Sequence, residues 1–145
     1  MTVEELLQLP TIKGLKLISG NLGVHREIST VTVVDTPDGF QWLKGNEVVI
    51  TTTYALEKTP NAFLDFISKL LSRNISALIV KSDRYMKVIP ENAKKLCDEK
   101  ALPLIYCPAI YAFADIINPT LSEIISKQAE QLKESAKIHE SFLEL

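Results

Sequence analysis

The run Val48-Val49-Ile50, three β-branched residues with no polar alternation, constrains the fold more than any other part of the chain. Such a run fits a strand buried on both faces, as in a parallel sheet covered by helices. Gly45-Asn46 precede it, and Thr51, Thr52, Thr53 and Tyr54 follow it directly. In open α/β sheets, ligands bind at the carboxyl ends of the strands. Three hydroxyls and a phenol therefore gather where a pocket is expected. The same threonines also suit a plainer task, capping a turn and satisfying backbone groups. On the residues alone both readings stand open.

Further elements extend the pattern. Residues 3–9 form a short amphipathic turn or helix ended by Pro10, and Leu15-Lys16-Leu17-Ile18 is a brief strand closed by Gly20 and Gly23. Val31–Val34 reads as a core strand, with Pro37-Asp38-Gly39 as a turn and Phe40, Trp42 and Leu43 as an apolar cover. Thr59-Pro60 has the form of a helix start. The helix after it sets Phe63, Phe66, Ile67, Leu70 and Leu71 on one face, and Asn74 ends it in the left-handed conformation. Ala77–Val80 is a third buried strand, and Pro90 opens a second helix with Ala93, Leu96 and Cys97 inward. Leu102–Tyr106 is a further strand, since proline is tolerated at a strand start. Strand, helix, strand, helix, strand makes two successive βαβ units with right-handed crossovers. The expected fold class is α/β: a small layered domain with a mainly parallel sheet flanked by helices, followed by a long C-terminal helix.

That last helix is expected from about residue 119. From Ala112 to Leu145 there is no glycine, and Pro119 sits near the start, where a first-turn position or a kink accommodates it. Leu121, Ile125, Ala129, Leu132, Ala136, His139 and Leu143 recur at spacings of four and three, a coiled-coil-like seam weakened by its alanines and histidine. A homodimer through this helix is expected, against the alternative of a solvent-exposed linker. The division is thus residues 1–118 as a domain and 119–145 as a connecting helix.

Composition excludes several classes. A net charge of −2 over 145 residues lacks the basic excess of a nucleic-acid-binding domain. No stretch reaches the roughly 18 apolar residues of a membrane span, and Glu4 and Glu5 replace the basic flank of a signal peptide. Cys97 and Cys107 have no metal-ligand spacing and read as reduced thiols, in keeping with the cytoplasm. No phosphate loop, dinucleotide fingerprint, nucleophile elbow or zinc motif occurs. His25 and His139 lie far apart, His25 reads as a surface residue, and the paired acids Glu4-Glu5 and Asp98-Glu99 read as solvated helix residues. No enzyme and no cofactor are expected.

Taken in order, Met1-Thr2-Val3-Glu4-Glu5-Leu6-Leu7-Gln8-Leu9-Pro10, Gly14–Gly20, Gly23-Val24-His25-Arg26-Glu27-Ile28, Val31–Asp38 and Trp42–Glu47 carry a resemblance. Over about residues 1–120 the chain resembles the N-terminal domain of the purine catabolism regulator (PucR-type) family of bacterial transcription factors. In that family a further domain and a C-terminal DNA-binding helix-turn-helix normally follow, so the chain looks like an isolated sensor domain with the beginning of its connecting helix. The family usually has glycine where this chain has Thr53, whose side chain is expected to narrow the site or alter its preference. By the resemblance, the ligand would be a nitrogen-rich metabolite such as a purine breakdown product.

The residues expected to bind it are Asp35, Thr51, Thr52, Thr53, Tyr54 and Lys81, with Ser82 and Arg84 nearby. Hydroxyls and amides fix the orientation of a small planar molecule, an aromatic ring stacks on it, and a cation meets any negative charge. For Lys81, Asp83 and Arg84 a solvated loop is the competing reading. Glu47 alternatively serves structure, bonding backbone N–H groups near Gly45. Two functional readings compete: a ligand-sensing domain that alters the pose of the terminal helix, or a constitutive dimerisation module with no ligand of its own.

Overall fold

A computed structural model describes residues 1–52, 61–82 and 89–143, the last four as backbone only. Five strands form one sheet in the order β1-β5-β4-β3-β2. They are β1 (Lys16–Ser19), β2 (Thr30–Val33), β3 (Glu47–Thr51), β4 (Ala77–Ser82) and β5 (Leu104–Pro108). Strands β2 to β5 are mutually parallel, in register at Val31–Val48, Ile50–Ile79 and Ile79–Ile105. The edge strand β1 runs antiparallel to β5, pairing Lys16 with Tyr106. The α/β class, the parallel core strands and the long terminal helix are as the sequence predicts.

Every residue of β3 is buried, and the two faces explain why its sequence does not alternate. Val49 packs with Leu78, Val80 and Leu104 under α2 (Ala62–Ser72) and α3 (Glu91–Glu99). Val48 and Ile50 pack on the opposite face with Ala77, Ile79 and Ile105. There α1 (Val3–Leu7) and α4 (Phe113–Leu143) supply Val3, Leu6, Ile116 and Ile124. Phe66, Ile67 and Leu70 of α2 are buried against the sheet, and Ala93 and Cys97 of α3 face inward, with Leu96 partly covered. The start expected at Thr59-Pro60 lies outside the described residues.

Helix α4 begins at Phe113, ahead of the expected start near residue 119. The side chain of Asp115 accepts a hydrogen bond from the Ala112 N–H at 2.8 Å and caps the new start. Pro119 consequently lies in the second turn, where its missing N–H costs the bond to the Asp115 carbonyl. Ile116, Thr120 and Ile124 bury one stripe of the helix, and residues 128–139 are exposed on all sides. The face docked on the domain is therefore not the seam read from spacing. Of that seam, Leu121 is partly buried whereas Ile125 and Leu132 are exposed.

Glu5 is more than a solvated acid. It completes a capping box with Thr2 at the start of α1 and pairs with Lys127 of α4. Those contacts hold its carboxyl down at about 2, the Lys127 ammonium being the largest cause and the Thr2 N–H the next. Asp98 likewise accepts from the Gly20 N–H at 2.7 Å. Gly20 has φ +75°, and a Cβ there would lie 1.9 Å from the Leu102 carbonyl oxygen. Only glycine fits where the early turn meets the α3–β5 corner. Arg26 closes the same corner, donating to the carbonyls of Ile75 (3.1 Å) and Lys100 (2.9 Å).

Candidate functional site

Parallel strands joined by crossovers end at one edge, and here that edge gathers Asp35, Thr51 and Thr52. Asp35 follows β2, and its Oδ1 accepts three hydrogen bonds: from the Thr52 N–H (2.7 Å), the Thr52 hydroxyl (3.0 Å) and the Thr51 hydroxyl (3.2 Å). One carboxylate oxygen thus ties the ends of two neighbouring strands together.

Lys81 stands apart. Side chains alternate across a strand, and Thr51 shares the α2/α3 face with Val49, whereas Lys81 shares the opposite face with Ala77 and Ile79. Its ammonium sits 5.3 Å from the ring centre of Phe113, the first residue of α4, a cation–π distance. Thr53 and Tyr54 lie outside the described residues, as do Asp83 and Arg84. The carbonyl of Ser82 accepts from the Tyr106 hydroxyl at 2.9 Å.

Beside the Asp35 knot opens a cavity of about 780 Å³, between β2 and the connection to β3, lined by Thr32, Asp35, Asp38, Trp42, Lys44 and Glu47 among others. Glu47 serves structure there. Its buried carboxylate accepts from the N–H groups of Lys44 (2.6 Å) and Gly45 (2.8 Å). Those bonds fix a turn in which Gly45 and Asn46 both have positive φ.

Trp42 corrects an expectation. It does not cover the sheet but is 81% exposed at the cavity. The reason is the 3₁₀ turn Gly39–Trp42. With three residues per turn, Phe40 and Leu43 share the inward face and Trp42 falls off it. Leu43 is buried, and Phe40 packs on the core with the Lys69 and Arg73 cations over its ring. Asp38, Trp42 and Lys44 were not among the residues expected at a site. The i, i+3 spacing of Phe40 and Leu43 is the signal that would have turned Trp42 outward.

The sequence profile of the purine catabolism regulatory protein-like family matches residues 5–124. The chain belongs to this family. The purine catabolism regulatory protein of Bacillus subtilis (strain 168) is 31% identical over 142 residues, which is 98% of this chain and 27% of that protein. The chain therefore spans little more than a quarter of the length of the curated relative it matches. No solved structure matches it.

In this purine catabolism regulatory protein-like domain the matched residues contain the whole Asp35 knot, the cavity and the docked part of α4. The arrangement offers acceptors, hydroxyls and an aromatic face, which are means of binding and orienting a molecule. The two thiols lie elsewhere and are buried. Burial pushes the Cys97 thiol up to about 12 and Cys107 to about 11, so neither is a thiolate at neutral pH. His25 is exposed, and no cluster of three metal-binding side chains occurs among the described residues. Nor is any helix among them long and apolar enough to cross a membrane.

Proposed function

We propose that this domain is a non-enzymatic sensor of a bacterial transcription regulator, coupling a small nitrogen-rich metabolite to a DNA-binding region that lies outside this chain. A single observation carries this reading: Asp35, Thr51 and Thr52 converge at the carboxyl ends of adjacent parallel strands, beside a cavity of about 780 Å³. Such strand ends are where α/β sheets hold ligands. The family and the Bacillus subtilis relative support a part in the regulation of purine catabolism. A cytoplasmic protein with no duplex binding of its own fits the net charge of −2.

Occupancy has a route to the terminal helix in this reading. Lys81 leaves β4 one register step from the strand-end residues and touches Phe113, so a change at the sheet edge reaches the root of α4. A thermal-shift screen of purines, ureides and amino acids tests it. A true ligand at 100 times its dissociation constant adds about 2.7 kcal/mol. A full set without effect on the melting temperature would rule sensing out.

One observation favours a second reading, a constitutive dimerisation module. The free part of α4 carries Leu132 and Ile138 at 72% and 69% exposure, following Ile125 at 64%. Apolar residues on a projecting helix are the raw material of a coiled coil. Sedimentation of the chain without any ligand tests it, since a chain that is monomeric at high concentration excludes this module.

A further inference from the structure

The cavity beside β2 has a chemical bias that goes beyond sensing as such, and it begins with the two oxygens of Asp35. Oδ1 takes all three donors from Thr51 and Thr52. Among the described residues no donor reaches Oδ2, although a carboxylate offers about four lone-pair sites. The residue is half-buried and lines the cavity, so its spare acceptor belongs to whatever enters.

The other walls point the same way. Asp38 also lines the cavity and makes no capping bond with its side chain, a second carboxylate unspent among the described residues. Glu47 is a wall only, because both its oxygens are committed to backbone N–H groups. Among the described residues Lys44 is the sole cation of the lining. Three carboxylates against one ammonium among the described residues of the lining repel anions and favour donors. Trp42 supplies a flat surface. Phe40 of the same turn has its ring covered by Lys69 and Arg73, while among the described residues nothing is stacked on Trp42.

We propose that this cavity binds a planar, neutral or cationic molecule presenting adjacent N–H donors, of the amidine or urea kind, with its donors on Asp35 Oδ2 and Asp38 and its face on Trp42. It discriminates against planar carboxylates of the same size. The proposal rests on the sensor reading for its biological meaning and on Asp35, Asp38 and Trp42 for its chemistry.

The test uses 2-aminobenzimidazole as the planar donor probe and benzoate as the planar anion. Trp42 is the only tryptophan, so its indole N–H gives one resonance in a proton–nitrogen correlation spectrum of the ¹⁵N-labelled chain. The expected result is a saturable shift of that resonance and a higher melting temperature with 2-aminobenzimidazole, and neither with benzoate. Asp35→Asn keeps an oxygen for the threonines but turns the spare acceptor into a donor. It should weaken the donor probe by about tenfold or more, since bonds to charged acceptors are the strong ones, and should let benzoate bind. Equal binding of the two probes to the wild type, or no loss in Asp35→Asn, overturns the proposal.

Should Asp35→Asn not fold, Trp42→Ala replaces an exposed side chain and must abolish the thermal shift caused by 2-aminobenzimidazole; an unchanged shift is equally fatal. A metabolite that stabilises the domain without moving the Trp42 resonance refutes this site and leaves sensing intact. Binding of 2-aminobenzimidazole at Trp42 with no stabilising metabolite supports the site chemistry and removes the sensor reading.

Discussion

Glu47 holds the turn before β3 together through one buried carboxylate. The residue is only 5% exposed, and its carboxylate holds two backbone N–H groups at 2.6 and 2.8 Å. Those groups belong to a turn with consecutive left-handed residues, Gly45 at φ 117° and Asn46 at φ 65°. Leaving a buried donor unsatisfied costs about 1–3 kcal/mol. Glu47→Ala orphans two donors, but Lys44 is exposed and Gly45 half-buried, so water recovers part of the loss and about 1–3 kcal/mol is expected. Glu47→Gln keeps one acceptor but turns its amide N–H₂ toward the other donor, and should cost less than the alanine. Urea unfolding followed by circular dichroism reads both. With a slope of about 2 kcal/mol per molar for a chain of this size, Glu47→Ala should move the midpoint down by roughly 0.5–1.5 M, and Glu47→Gln by less. A midpoint equal to wild type for Glu47→Ala would mean that the turn holds itself and that the carboxylate contributes nothing to it.

Other expectations are as direct. Phe66→Ala removes a ring 2% exposed in the core under α2, and should cost about 3–5 kcal/mol in the same unfolding assay. Thr52→Val keeps the volume and deletes one donor to Asp35, so isothermal titration of any metabolite found in the screen should show binding weakened by about 0.5–1.5 kcal/mol with the fold intact. The Glu5 carboxyl is lowered from 4.5 to about 2 in the folded chain, chiefly by Lys127. A depressed folded value means that the pair's contribution is complete above about 4.5 and lost as pH falls toward 2. The melting-temperature gap between wild type and Glu5→Gln should therefore close over that window, and a gap independent of pH would contradict the pairing. Leu132→Glu should shift any dimer toward monomer in sedimentation velocity if α4 pairs chains, whereas a wild type already monomeric at high concentration leaves α4 as a linker.

The sheet was legible because its signals were local and redundant. Val48–Ile50, Ala77–Val80 and Leu104–Tyr106 are short apolar runs separated by helices whose inward faces the spacing names correctly, Phe66, Ile67 and Leu70 above all. What escaped depends on pairing across the chain. Nothing near Leu17 announces that β1 will lie antiparallel to β5, and nothing near Glu5 announces Lys127. The start of α4 was placed late because Pro119 suggests a first turn, whereas the Asp115–Ala112 cap sets the start earlier. At the candidate site the residue types were readable and their directions were not. Asp35, Thr51 and Thr52 meet, Lys81 takes the other face by strand alternation, and the cavity depends on a 3₁₀ turn whose i, i+3 geometry differs from the cover read at Phe40, Trp42 and Leu43.

The place of β1 has a consequence for how the protein is made. Lys16 finds its strand partner in Tyr106, although α1 and the Gly20 turn are synthesised well before β5. At about 5–20 residues added per second, the first strand waits several seconds for the last. Throughout that time Val3, Leu6 and Ile12, each fully buried in the finished domain, have neither β5 nor α4 to cover them. Long-range pairings of this kind slow folding and prolong exposure. Substitutions in the first fifteen residues should accordingly reduce soluble yield in the cell more than they reduce the stability of purified protein.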